Sequence, residues 1–144
     1  ILMYKMRDSL STYLQSQSRN KIVFYKQDMP GIEPMNVGDK LAKEIKHLVE
    51  DSKIGLKSRL IIEELFSSSI TNDSAYGKYL AIQNVGILFE PELKTDFLQI
   101  LDKYSSSNTL FVKWEGEIED GILYFLTKEK GQKIDIKNLS HIEI

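Results

Sequence analysis

Apolar positions along this chain recur with two periods, and each change of period marks an element. Met3, Met6, Leu10, Tyr13 and Leu14 are spaced three or four apart, which predicts a helix from Met3 to Ser18. Arg19-Asn20 closes it, because asparagine tolerates the left-handed conformation at helix ends. Lys21 to Lys26 is β-branched and aromatic, the pattern of a buried strand. Pro30, Gly31 and Pro34 then predict a loop, since proline pushes the preceding residue toward extended geometry. Met35-Asn36-Val37 ends a second strand. Asn36 caps the helix that follows, with Asp39 near its positive end. Val37, Leu41, Ile45, Leu48 and Val49 mark its buried stripe, and Gly55 breaks the pattern. Leu56, Leu60, Ile61, Leu65 and Phe66 predict another helix to about Ser69, followed by a polar loop from Ser67 to Ser74.

Tyr79 to Ile82 is apolar on both faces, as in the middle of a parallel sheet, and Gln83-Asn84 ends it. Glu90-Pro91-Glu92 turns the chain, and Thr95 is the expected cap of a helix through Leu98, Leu101 and Tyr104. Ser105 to Asn108 is a loop, Thr109 to Trp114 a strong strand and Glu115 to Asp120 an acidic connector. Asp120-Gly121 is a turn signal before a strand from Gly121 to Thr127. Lys133 to Ile144 reads as a short edge strand or a tail. Strands alternating with helices predict a single α/β domain over residues 1–144, in three layers. The sheet is mainly parallel, with the Lys21–Lys26, Tyr79–Ile82 and Thr109–Trp114 strands adjacent, helices on its faces and an antiparallel C-terminal extension.

Composition narrows the function classes. With 42% hydrophobic and 28% charged residues, the 144-residue chain is neither a disordered tail nor a fibrous repeat. No run approaches the ~20 apolar residues of a membrane span, and Ile1 to Asp8 lacks the layout of a signal peptide. A cytoplasmic protein without membrane association is expected. The absence of cysteine excludes disulfides, thiolate zinc sites and a cysteine nucleophile. The net charge of −2 is divided unevenly: residues 1–60 carry 11 Lys+Arg against 7 Asp+Glu, and residues 61–144 carry 8 against 14. The acidic balance disfavours an autonomous nucleic-acid binder. It leaves either two solvated faces or a basic front and an acidic back that steer a partner.

A phosphate loop needs Gly, four residues, then Gly-Lys-Ser/Thr, so that backbone N–H groups, a lysine and a hydroxyl converge on phosphate and magnesium. Gly31 and Gly38 are seven apart, and Gly38-Asp39-Lys40-Leu41 has neither the adjacent lysine nor the hydroxyl. Gln83 stands where the second strand would carry a magnesium-binding aspartate. His47 and His141 lie on different elements, with no nucleophile spaced to join them. Glu115, Glu117, Glu119 and Asp120 lack the spacing of a calcium loop and read as a solvated edge or a weak cation site. No catalytic, cofactor-binding or metal-ligating residue is therefore expected, and no cofactor.

Asn84 to Lys94, Phe97 to Leu101, Thr109 to Gly116 and Glu119 to Gly121 together resemble the small P-loop accessory component, the F protein, of type 3 BREX bacteriophage-exclusion systems. Met35-Asn-Val37 and Leu41 to Ile45 are similar to that family's strand and helix after the phosphate loop. The resemblance spans roughly residues 34–127. It implies a P-loop-NTPase-like fold, here in a degenerate form without the loop. It also implies a non-catalytic accessory or scaffold subunit of an anti-phage defence complex, a pseudo-ATPase that binds larger protein subunits and meets DNA only through them. A homo-oligomer is left open. The other readings are an ATPase-like subunit with a non-standard nucleotide site, and a nucleic-acid-binding regulator using Lys40, Lys43, Lys46, Lys53, Lys57 and Arg59. If the central strands are parallel, Glu90, Glu92, Glu115, Glu117, Glu119 and Asp120 share the carboxyl edge of the sheet. That edge is the candidate partner surface, with Trp114 either its buried anchor or part of the core.

Overall fold

The computed structural model describes residues 9–144. Residues 9–14 form helix α1, with Leu10 buried and Tyr13 and Leu14 half-buried; Met3 and Met6 lie outside the described residues. The helix ends at residue 14, earlier than the apolar spacing predicts. The Tyr13 hydroxyl accepts from the Ile22 backbone N–H at 2.9 Å, and the Lys21 ammonium donates to the Tyr13 carbonyl at 3.0 Å. Asn20 does not close a helix. It is buried, and its amide donates to Asp102 Oδ1 and Ser105 Oγ, both at 2.9 Å.

The remaining elements, in chain order, are β1 (Ile22–Tyr25), β2 (Met35–Asn36), α2 (Val37–Ile45), α3 (Ile54–Ser68), β3 (Thr71–Asp73), β4 (Gly77–Gln83), α4 (Phe97–Ser106), β5 (Thr109–Lys113), β6 (Glu117–Glu119), β7 (Ile122–Tyr124), β8 (Lys133–Asp135) and β9 (His141–Glu143). The central sheet runs β2-β4-β5-β1-β9, all parallel, with β3 added antiparallel to β4. The fold is the expected α/β architecture, and β1, β5 and β4 are adjacent. Alternation divides the core. Ile22, Phe24, Leu80, Ile82, Leu110 and Val112 pack with α2, α3 and α4. Val23, Tyr25, Tyr79, Ala81 and Phe111 pack with Leu10 on the other face.

Register explains how β1 reaches the far edge of the sheet. Met35 pairs with Ile82, Ile82 with Val112, and Val112 with Phe24. β2 therefore begins at the height where β1 ends, three strand spacings away, or about 14 Å. Residues 26–34 can span up to ~30 Å, so they cross the top of the sheet without descending. They contain no helix, and Ile32 and Met29 pack into the cluster with Tyr25 and Tyr79.

Several local readings change. Gly55 lies inside α3 rather than breaking a helix, because its bare Cα faces the Lys94 side chain, which a Cβ would approach to 3.3 Å. α3 buries Gly55, Ser58, Ile62 and Phe66, while Val49, Leu56 and Leu60 are exposed. A turn of 3-10 helix over Lys46–Leu48 shifts the phase of the apolar pattern ahead of α3. The polar stretch after α3 forms a hairpin with β4. Asp96, not Thr95, caps α4, accepting from the Leu98 and Gln99 N–H groups at 3.0 and 3.4 Å. Thr95 instead donates to the Leu88 carbonyl at 2.5 Å.

The C-terminal extension is an antiparallel sheet, β6-β7-β8. Asp120 and Gly121 have φ of 53° and 74°, the two-residue turn that matches strand twist. Leu123, Ile134 and Ile136 join the helix-side core, and β9 then returns to extend the central sheet beside β1. Among the described residues, no helix is long and apolar enough to cross a membrane.

Candidate functional site

The link after β1 crosses the top of the sheet with Met29 and Ile32 packed toward one face, whereas the link after β5 leads to strands packed on the other. The carboxyl ends of β1 and β5 therefore flank the crevice where open α/β sheets place ligands. Here two charged contacts cross that crevice. The Lys26 ammonium donates to the Gly116 carbonyl, and Lys113 pairs with Asp28 at 2.6 Å. A shallow hollow of about 310 Å³ remains beside them, lined in part by Glu115, Glu117 and Lys128. Gly116 must be glycine, since a Cβ there would sit 1.9 Å from the Tyr124 carbonyl oxygen.

The neighbouring end of β4 is a structural clamp. Gln83 Nε2 donates to the Pro34 carbonyl at 3.3 Å. Asn84 turns into the left-handed region with φ 53°. Its side-chain amide donates to Asn36 Oδ1 at 2.8 Å, and its carbonyl accepts from the Gly38 N–H at 2.9 Å. Asn36 Oδ1 also accepts from the Asp39 N–H at 3.0 Å, as the sequence predicts for a cap. The two amides join β4 to β2 and the start of α2.

Glu90, Glu92, Glu115, Glu117, Glu119 and Asp120 are all exposed. β6 points Glu117 and Glu119 outward and keeps Ile118 half-buried. Both glutamates face Lys128, which contacts Glu119 closely and Glu117 at 3.5 Å. The bond to Glu119 raises the lysine pKa. Among the described residues, Glu90, Glu92, Glu115 and Asp120 make no ion pair.

Trp114 lies in the core. It is 2% exposed and meets Phe89, Phe97 and Phe125 at ring-centre distances of 6.4, 6.1 and 6.4 Å. Its Nε1–H donates to the Glu117 carbonyl at 3.3 Å. This aromatic cluster ties the loop after β4, the start of α4, the end of β5 and the region after β7 into one support. It supports the Glu90–Glu92 and Glu115–Asp120 segments from beneath, with Trp114 and Phe97 buried and Phe89 and Phe125 half-buried.

The histidines remain apart from this edge in chemistry. His47 is exposed on the turn after α2, and His141 lies on β9 with Nδ1 2.8 Å from the Leu139 carbonyl. Among the described residues, no group of three or more His, Asp or Glu side chains is arranged to hold a metal ion. No protein-family model, curated protein or solved structure matches the chain.

Proposed function

We propose that this protein is a non-catalytic accessory subunit that docks larger protein partners on the acidic carboxyl edge of its sheet. The observation that carries the reading is that Glu90, Glu92 and Glu115, on the segments that follow the parallel strands β4 and β5, are exposed and without an ion pair among the described residues, beside a crevice crossed by Lys26–Gly116 and Lys113–Asp28. An unpaired acidic surface repels phosphates and attracts a basic protein surface, chiefly by accelerating encounter. The resemblance of roughly residues 34–127 to the BREX accessory component supplies the partner class: larger subunits of an anti-phage complex, with DNA reached only through them.

Glu90, Glu92 and Glu115, three of the acids without an ion pair among the described residues, make the cleanest test. Glu90→Lys, Glu92→Lys and Glu115→Lys combined should leave thermal unfolding within about 1 kcal/mol of the parent, as expected of exposed positions. The same triple variant should lose at least tenfold of the larger subunits that co-purify with a tagged chain. Undiminished co-purification would refute the acidic edge as the docking surface.

A further inference from the structure

The solvent side of α3 presents a second feature, independent of the acidic edge. At about 100° per residue, the line opposite the buried Ser58 and Ile62 runs through Lys57, Leu60 and Glu64. Leu56 and Leu60 are 54% and 57% exposed, one turn apart. Val49, in the turn leading into the helix, is also exposed, so among the described residues three of the five exposed large hydrophobics fall between residues 49 and 60.

Charge on this helix is ordered against its own dipole. Lys57 and Arg59 lie in its N-terminal half with Lys53 at the cap, and Glu63 and Glu64 lie in its C-terminal half. The dipole favours acids at the start and bases at the end. Neighbours within the chain compensate part of this: Asp51 holds Lys57 at 2.6 Å, and Lys103 holds Glu63 at 3.1 Å. Lys53, Arg59 and Glu64 have no ion pair among the described residues.

We propose that this face binds a second copy of the chain, the two α3 helices packing antiparallel about a two-fold axis beside Leu60. A parallel arrangement would set like charge against like charge. The antiparallel one lays the basic half of each helix over the acidic half of the other, opposes the two dipoles and buries Leu56 and Leu60 between them. Lys57 then faces Glu64 across the interface, using donor hydrogens not given to Asp51. The contact is isologous and closes at two copies.

Because the chain has no cysteine, a single introduced thiol reports on a single contact. Leu60→Cys lies at the axis and should oxidise to a covalent dimer. Ser67→Cys, on the same face, would meet its own copy about 20 Å away along the helix axes. That is beyond the ~7 Å limit between Cα atoms for a disulfide, so it should stay monomeric. Sedimentation of the parent chain should show a monomer–dimer equilibrium that weakens as salt rises. Leu56→Ser with Leu60→Ser should raise its dissociation constant at least tenfold while thermal unfolding, read at a dilution where the parent is monomeric too, is unchanged. A chain that remains monomeric at every concentration overturns the proposal, as does equal cross-linking of both thiols. So does a monomer whose Leu60→Ser variant loses a co-purifying larger protein, which would assign the face to that protein.

Discussion

Tyr25 shows how one side chain can work against the fold it completes. It is almost fully buried on β1, and its hydroxyl has no hydrogen-bond partner among the described residues. Burial, then the nearby Asp28 and Tyr79, push its pKa up to about 12. In the unfolded chain a tyrosine ionises near 10. As pH rises from about 10 to 12, the unfolded chain releases a proton that the folded chain retains, so stability falls across that window and is intact below it. Burial also raises Tyr79 and Tyr104, so they contribute to the same loss. Tyr25→Phe should therefore stabilise the protein by about 1 kcal/mol at neutral pH, because a buried unpaired hydroxyl is removed. It should also shrink the alkaline loss, as chemical denaturation at pH 8 and 11 would show. Gly38 is constrained in the opposite sense. An added Cβ would lie 2.5 Å from Asn84 Nδ2, so Gly38→Ala should destabilise by about 1–3 kcal/mol and break the bond from Asn84 to Asn36.

At the scale of elements, legibility followed how local each signal is. Asn36 and the Asp120-Gly121 turn were readable because each is decided within four residues. The strands were readable because burial on both faces leaves a continuous apolar run. Thr95 was misread because Thr95 and Asp96 are adjacent and both can cap, and only the distant Leu88 carbonyl decides between them. Asp96→Ala should accordingly cost about 1 kcal/mol in denaturant unfolding, whereas Thr95→Ala acts through the loop contact and leaves the α4 cap intact. The outward phase of Leu56 and Leu60 was hidden for a related reason. The 3-10 turn over Lys46–Leu48 resets the helical phase, and an apolar side chain has the same composition whether it faces the core or a partner.

For the whole molecule, the α/β class and the adjacency of parallel β1, β4 and β5 were legible because most parallel strands are joined by helical crossovers, which leave a visible alternation, whereas the places of β2 and β9 depend on links without a helix. The common edge of the loops directly after β4 and β5 was legible from the same topology, since the two strands are parallel. What the sequence concealed was the split of that edge: Lys128 comes from the β7–β8 connection to engage Glu117 and Glu119, while Trp114 withdraws into the core. Those pairings depend on how the small sheet packs, not on spacing along β6. The crossed crevice predicts that magnesium-ATP produces no thermal shift, whereas a ligand at 100 times its dissociation constant would add about 2.7 kcal/mol. Unpaired acids at the carboxyl edge are proposed to steer a basic partner. The most direct test of this steering is the association rate of a co-purified larger subunit with the immobilised chain at two salt concentrations. The parent should bind several-fold faster at low than at physiological ionic strength, and the Glu90→Lys, Glu92→Lys, Glu115→Lys variant should lose both the rate and its salt dependence. Equal rates for parent and variant at low salt would contradict it.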